Sequence, residues 1–349
     1  MEDQDSGEFN PVLFIRERFW VSMQPFLFAQ GYQLRPRYHA DWIPSWTAGT
    51  GLGLCQRYDR EDRAAVFFRP ALDATRICDG KKVVLKRVDA SSPEIEFMKY
   101  LNRPAVRKDP RNRTIPLLDI IGPAPNTSWL FLVMPYCREF NYPPFHCRGE
   151  FVEAMTQFLE GLQFMHEHNI VHFDIAPQNM VMDESRVIPR GSHFARPDTH
   201  KGVYDQLFTW KNRCAVAPVA YYYIDFGLSK YYPDGKNTAK HTGTLRTFPN
   251  IPELSLTVPY NPFMVDLCQL GLTIEKLVNA YPDLEDFRPV ADAMTAANPM
   301  ERSSPEEALA HLRRIADAMD PSKLSAQIWE KDIGRWKKLC RAVLGGWYS

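Results

Sequence analysis

The stretch Val171-His172-Phe173-Asp174-Ile175-Ala176-Pro177-Gln178-Asn179-Met180-Val181-Met182-Asp183 sets a polar loop between apolar, strand-like pairs. Downstream, Tyr223-Ile224-Asp225-Phe226-Gly227 places a second carboxylate after a strand-like run and before a glycine. Two aspartates and an asparagine in this order suit phosphate chemistry. One carboxylate can orient an attacking hydroxyl, while an Asp and an Asn offer hard oxygen ligands to Mg2+. Taken singly, Asp174 or Asp225 could also cap a turn.

Upstream of this loop the chain is strand-rich. Runs 64–69, 72–77 and 82–88 are β-prone, and Cys78-Asp79-Gly80 marks a turn between the last two, so an antiparallel meander is expected. Ser91-Ser92-Pro93-Glu94 precedes Ile95, Met98 and Leu101 in the form of a capping box with proline in the first turn, which predicts a short helix. Segments 115–121 and 129–134 read as two further strands. Residues 1–63 mix aromatics with Pro and Gly, show no sustained period, and read as an extension wrapped on the core.

Beyond the loop the texture changes. Phe151, Met155, Phe158, Leu159, Leu162 and Met165 recur at helical spacing, and helical patterns dominate after Pro262. The expected class is α+β, with a small five-stranded antiparallel β lobe carrying one helix, a hinge near residues 135–137, and a larger, mainly helical lobe. Residues 184–220 accumulate Pro, Gly, Arg and His without periodicity. Loops longer than about 12–15 residues are uncommon in compact domains unless functional or disordered, and both readings stand here.

Composition sets the outer bounds. The chain has 349 residues, 45% hydrophobic and 24% charged, with 42 basic and 42 acidic side chains, so no global field favours nucleic acid or anionic membrane. Seven cysteines lack any C-x-x-C pair, which suggests neither a zinc site nor a disulfide framework. The acidic start MEDQDSGEFNPV is unlike a secretory signal, and no apolar run approaches the roughly 18 residues of a membrane span. An intracellular protein, cytoplasmic or nuclear, is expected.

The sequence H-F-D-I-A-P-Q-N followed by I-D-F-G resembles the catalytic loop and metal-binding motif of eukaryotic-type protein kinases, and the resemblance runs from about Ala64 to Leu312. It implies a two-lobed fold with an N-terminal extension at 1–63, a small lobe at 64–135, a large lobe at 136–316 holding the insertion at about 184–220, and a tail at 317–349. It further implies ATP and Mg2+ as cofactors and a protein serine or threonine hydroxyl as phosphate acceptor. Asp174 would be the catalytic base, Asn179 and Asp225 the metal ligands, and His172 an organiser of the loop. Lys86, in Val83-Val84-Leu85-Lys86, would contact the α- and β-phosphates, with Glu94 its partner and Glu96 the alternative. Met134 would be the gatekeeper, with adenine meeting backbone groups of Pro135 and Cys137. Glu253 in Ile251-Pro252-Glu253 would close the activation segment and pair with Arg302, and Asp266 would brace the catalytic loop from below.

Several positions differ from that pattern. The first turn of the small lobe, expected near Pro70-Ala71, has no glycine, and Gly49-Thr50-Gly51-Leu52-Gly53 falls in the extension. Ala176 stands where serine/threonine kinases carry a lysine, Gln178 where tyrosine kinases carry an arginine, and Phe173 where an arginine would bind a phosphorylated activation loop. Two alternatives therefore accompany the kinase reading: a pseudokinase serving as a binding or scaffolding module, and a small-molecule phosphotransferase of the aminoglycoside or choline type.

Overall fold

The computed structural model describes residues 13–47, 59–66, 70–204, 207–334 and 338. Its first element is a helix, α1 (Ile15–Ala29), which leads into strand β1 (Tyr32–Leu34). After a connection spanning residues 35–70 come β2 (Ala71–Arg76), β3 (Lys82–Asp89), helix α2 (Pro93–Leu101), β4 (Asp119–Ile121) and β5 (Trp129–Pro135). These strands form one antiparallel sheet in the order β1-β2-β3-β5-β4. The sheet is curled, so the Tyr32 hydroxyl of one edge strand donates to Asp119 of the other at 3.0 Å. Burial, then the Asp119 carboxylate, push the Tyr32 phenol up to about 12.

Five strands form as expected, and four of them overlap the expected runs, but the first does not. Ala64–Val66 is not a strand, residues 67–69 lie outside the described residues, and β1 comes from the stretch read as an extension. A three-residue strand is too short to show a period, although its burial alternates in the expected way. The extension also holds α1, whose Trp20, Val21 and Leu27 pack on the outer sheet face against Phe131 and Val133. Pro25 inside the helix hid its period. The glycine-free first turn is likewise corrected. With β1 at Tyr32–Leu34, the connection between the first two strands is residues 35–70, which contains Gly49, Gly51 and Gly53, and these three lie outside the described residues.

Pro116 interrupts the expected strand 115–121, leaving β4 only at Asp119–Ile121; before it, Ile115 N–H donates to the Tyr223 carbonyl at 3.0 Å. The capping box before α2 does not form either. Ser92, not Ser91, is the N-cap, accepting from Glu94 N–H at 3.4 Å, and the Glu94 side chain turns elsewhere.

After β5 the chain runs through β6 (Arg138–Glu139), helix α3 (Arg148–Glu167), β7 (Ile170–Val171), β8 (Met180–Met182), β9 (Tyr221–Tyr223), β10 (Lys230–Tyr231), β11 (His241–Gly243) and β12 (Ser255–Tyr260). Helices α4 (Pro262–Ala280), α5 (Arg288–Met294) and α6 (Pro305–Asp317) follow. α3 and α4 are buried over much of their surface, and their apolar residues join those of α2 and β5 in one continuous core. The two cores lie on opposite faces of the sheet, with Leu132 and Met134 in the larger core and Phe131 and Val133 under α1, as strand alternation requires. Among the described residues, no helix is long and apolar enough to cross a membrane.

Among their described residues, 184–220 carry one helical turn, Arg213–Val216, yet they bury Ser192, His193, Thr199, His200, Phe208 and Arg213. Arg213 donates to the carbonyls of Phe140 and Pro143 at 2.8 and 2.6 Å. The Ser192 carbonyl accepts from Lys82 Nζ at 2.7 Å, the Ser192 hydroxyl bonds the Tyr136 hydroxyl at 2.9 Å, and His193 Nε2 lies 3.0 Å from Glu61. The insertion is thus a packed brace joining the β5–β6 connection to β3 and to the segment at 59–66.

Candidate active site

The site is organised from below by Asp266 of α4, which is fully buried. Its carboxylate accepts from His172 N–H and Phe173 N–H, both at 2.8 Å, and lies 3.2 Å from His166 Nε2. One turn along α4, Gln269 accepts from Ile175 N–H at 2.9 Å and donates to the Phe173 carbonyl at 3.0 Å. These bonds hold Phe173 at φ 67, a left-handed conformation that a bulky residue adopts only when its surroundings enforce it. Asp266 was expected here; Gln269 and His166 were not.

The loop so fixed presents Asp174 and Asn179 together. Asn179 Nδ2 donates to the Asp174 carboxylate at 2.8 Å and to the Asp174 carbonyl at 2.9 Å, which leaves the amide oxygen available as a ligand. Among the described residues Asp174 Oδ1 is buried and has no hydrogen-bond partner, so one acceptor oxygen of the carboxylate is unused. His172 Nε2 lies 3.1 Å from the Ile224 carbonyl, and Ile224 N–H donates to the Asn179 carbonyl at 3.0 Å. Asp225 follows directly on this tie, at φ 67 and ψ 74.

Lys86 reaches the same place from the sheet. Its ammonium donates to both Glu94 oxygens at 2.6 and 2.7 Å and to Asp225 Oδ1 at 2.9 Å. Glu94 also accepts from Phe226 N–H at 3.2 Å. Glu96 is exposed and pairs with Lys99 at 3.0 Å, so Glu94 is the lysine's partner. Burial raises the Asp225 carboxyl, but the charge and hydrogen bond of Lys86 outweigh it and hold the group below the usual carboxylate range. The half-exposed Asp225 and the buried Asn179 offer two hard oxygen ligands, a donor set that fits Mg2+.

The β5 residues are placed by register. Lys86 stands opposite Leu132 and Val84 opposite Met134, so these four side chains share one face of the sheet. Met134 is buried, and Pro135 ends β5. Cys137 faces a different surround: an open cavity of about 510 Å³ that also takes in Val66, Tyr136 and the insertion residues Phe194 and Pro197. Burial, followed by the nearby Asp183 and Glu184 carboxylates, pushes its thiol well above its ordinary range. Asp73, opposite Val84 on the same sheet face, is a buried carboxylate held by Arg35 at 3.1 Å. Below the loop, Arg302 Nη2 donates to Glu253 at 2.8 Å, and the same guanidinium reaches the Met264 carbonyl at 2.8 Å.

No protein-family profile matches the chain. Individual relatives do. The probable casein kinase II subunit alpha homolog of Encephalitozoon cuniculi is 23% identical over 167 residues, covering 47% of this chain and 41% of that protein. The inhibitor of nuclear factor kappa-B kinase subunit alpha of Xenopus laevis is 24% identical over 259 residues, 70% of this chain and 29% of the relative. The probable serine/threonine-protein kinase MARK-A of Dictyostelium discoideum is 25% identical over 194 residues, 54% of this chain and 14% of the relative. The chain thus spans less than half the length of each of these proteins. Several distant relatives are protein kinases, and with the α+β architecture and curled antiparallel sheet they support a kinase-like superfamily.

Proposed function

We propose that the chain is an ATP-dependent protein kinase that transfers the γ-phosphate of ATP to a serine or threonine hydroxyl of a polypeptide, within a two-lobed fold whose small lobe is the sheet with α2. The observation that carries this reading is Lys86 Nζ held between Glu94 and Asp225, with Asp174 and Asn179 tied to the same turn through Ile224. In it, Lys86 would hold the α- and β-phosphates, Asn179 and Asp225 would hold Mg2+, and backbone groups of Pro135 and Cys137 would meet adenine below Met134. Bound magnesium supplies neutralisation of phosphate charge.

The chain's own residues do the rest by positioning. Asp174 orients the acceptor hydroxyl and takes its proton on its carboxylate. His172 and Asp266 keep the loop in register, so that the carboxylate need not reorganise during transfer. Ala176 supplies no charge next to the acceptor, so Lys86 is the cation on which the reading relies. The Glu253–Arg302 pair favours a polypeptide over a small-molecule acceptor, since in the resembling family it belongs to the activation segment.

The test is to supply purified protein with ATP, Mg2+ and, in parallel, a mixed polypeptide substrate and a panel of amino sugars and amino alcohols. The expected result is magnesium-dependent ADP production coupled to phosphoserine or phosphothreonine in the polypeptide. Phosphorylation of the small alcohols alone would reassign the acceptor. A nucleotide-induced thermal shift without ADP would assign the chain as a binding module.

A further inference from the structure

The first turn of α3 carries a second group of ligand atoms, soft where those of the candidate active site are hard. Cys147 is the N-cap of α3 and Glu150 its third residue, the two positions whose side chains converge in a capping box. Here the convergence brings a thiol beside a carboxylate. A second thiol, that of Cys214, comes from the helical turn Arg213–Val216 of the insertion. The two sulfurs and a Glu150 oxygen lie within 4.8 Å of one another. No local spacing such as C-x-x-C announces this group, because it closes only when the insertion packs on α3.

The fold itself holds the group in place. Cys214 N–H donates to Glu150 Oε1 at 2.9 Å and His146 N–H to Glu150 Oε2 at 2.7 Å. Arg213, anchored on the carbonyls of Phe140 and Pro143, brings Nη1 to 3.5 Å from Glu150 Oε2. A carboxylate has about four lone-pair sites, and these contacts leave one, which the Cys214 thiol uses. The two thiols also hydrogen-bond each other, so thiol protons lie where one cation could join all three ligand atoms. Charge balances in both states: Glu150 and Arg213 neutralise each other when the thiols are protonated, and a divalent cation that sends two thiol protons to solvent adds no net charge. Burial, followed by the Glu150 carboxylate, pushes the Cys214 thiol up to about 12. Thiols held protonated are poor nucleophiles, which suits the pair to a metal more than to oxidation, and a coordinated cation deprotonates them outright.

We propose that Cys147, Cys214 and Glu150 bind one thiophilic divalent cation of the zinc class, with water in the fourth position, as a clasp between the insertion and α3. Cys147 and Glu150 are buried and Cys214 is exposed, so the ion enters from the Cys214 side. Tetrahedral zinc with Zn–S bonds of about 2.3 Å sets its sulfurs about 3.8 Å apart, so the side chains need draw in by about 1 Å at most. Magnesium does not compete, since it takes oxygen ligands and keeps its waters. The site shares no residue with the one assigned to phosphate transfer and does not depend on that reading.

Cobalt(II), whose thiolate charge-transfer absorption reports sulfur ligation, tests this when titrated into the full chain after chelator treatment and phosphine reduction, with excess Mg2+ present. One equivalent per chain should develop the absorption, and Zn2+ should then bleach it and raise the melting temperature. Cys147→Ser and Cys214→Ser should each weaken cobalt binding by about 100-fold or more, since losing even an outer partner of a metal ligand typically costs about 10–100-fold. Serine is a favoured N-cap and Cys214 is exposed, so both variants should keep the metal-free melting temperature of the wild type. Cys78→Ser, in the turn between β2 and β3, should bind cobalt as the wild type does. Absence of the absorption in the wild type, or its survival at full strength in Cys214→Ser, overturns the site. So does a Cys147–Cys214 disulfide found by peptide mapping together with a reduced protein that takes up no cobalt, which would make the thiols a redox pair.

Discussion

Asp174→Ala is expected to lower the rate of phosphate transfer by about 10²–10⁴ while leaving ATP affinity nearly unchanged, the size typical of removing a positioned general base. The expectation follows from where Asp174 sits. Among the described residues its carboxylate bonds only Asn179 Nδ2, at 2.8 Å, while its other oxygen has no donor. The side chain therefore keeps an unused acceptor oxygen and makes few ties to the fold. Asn179 keeps its second bond, to the residue-174 carbonyl at 2.9 Å, so the amide proposed to meet the metal should stay in place in the variant. Single-turnover rates and equilibrium ATP binding, measured on the same preparation, separate the two effects. A variant that turns over at the wild-type rate would remove Asp174 from its role.

Asp266→Ala should act by a different route, lowering stability and turnover together. The carboxylate is fully buried and is the partner of His172 N–H, Phe173 N–H and the His166 ring. Alanine would leave two buried backbone donors unsatisfied, each worth about 1–3 kcal/mol, so a loss of about 2–6 kcal/mol is expected. Because those donors belong to the residues immediately before Asp174, the loop at 172–179 should lose its left-handed Phe173 and its alignment. Thermal or denaturant unfolding alongside the kinetic assay reads both consequences. A variant that keeps its melting temperature but loses activity would show that Asp266 acts chemically and does not brace.

The contrast between these residues shows what was legible in the amino-acid sequence. Lys86, Asp174, Asn179 and Asp225 were each visible as part of a short motif, and the structure brings Lys86 to Asp225 and Asp174 to Asn179. Glu94 had two readings, as the acid of a capping box and as the partner of Lys86. The choice turned on whether the helix started at Ser91 or Ser92, a one-residue difference that only the backbone resolves. Gln269 could not be found by pattern, because its partners Phe173 and Ile175 lie more than 90 positions away. The apolar periodicity of α3 and α4 was long enough to read directly, whereas α1 was obscured by Pro25 and β1 by its brevity.

Misplacing β1 had a further consequence. It put the first turn of the sheet at Pro70-Ala71, when the connection from β1 to β2 covers residues 35–70 and includes Gly49, Gly51 and Gly53. The insertion at 184–220 lacked periodicity because it is organised by polar contacts to other segments. Ser192 meets Lys82 and Tyr136, and Arg213 meets main-chain carbonyls of residues 140 and 143. Such contacts leave no signature in local sequence.

The central claim is that Lys86, Asn179 and Asp225 form one nucleotide- and metal-handling site, and calorimetric titration of ATP tests it most directly. Titrations with and without Mg2+ would be run on the wild-type protein and on Asp225→Asn. The account predicts that magnesium tightens ATP binding to the wild type and that the substitution removes this dependence. Absence of ATP binding, or a magnesium effect that survives Asp225→Asn, would contradict it.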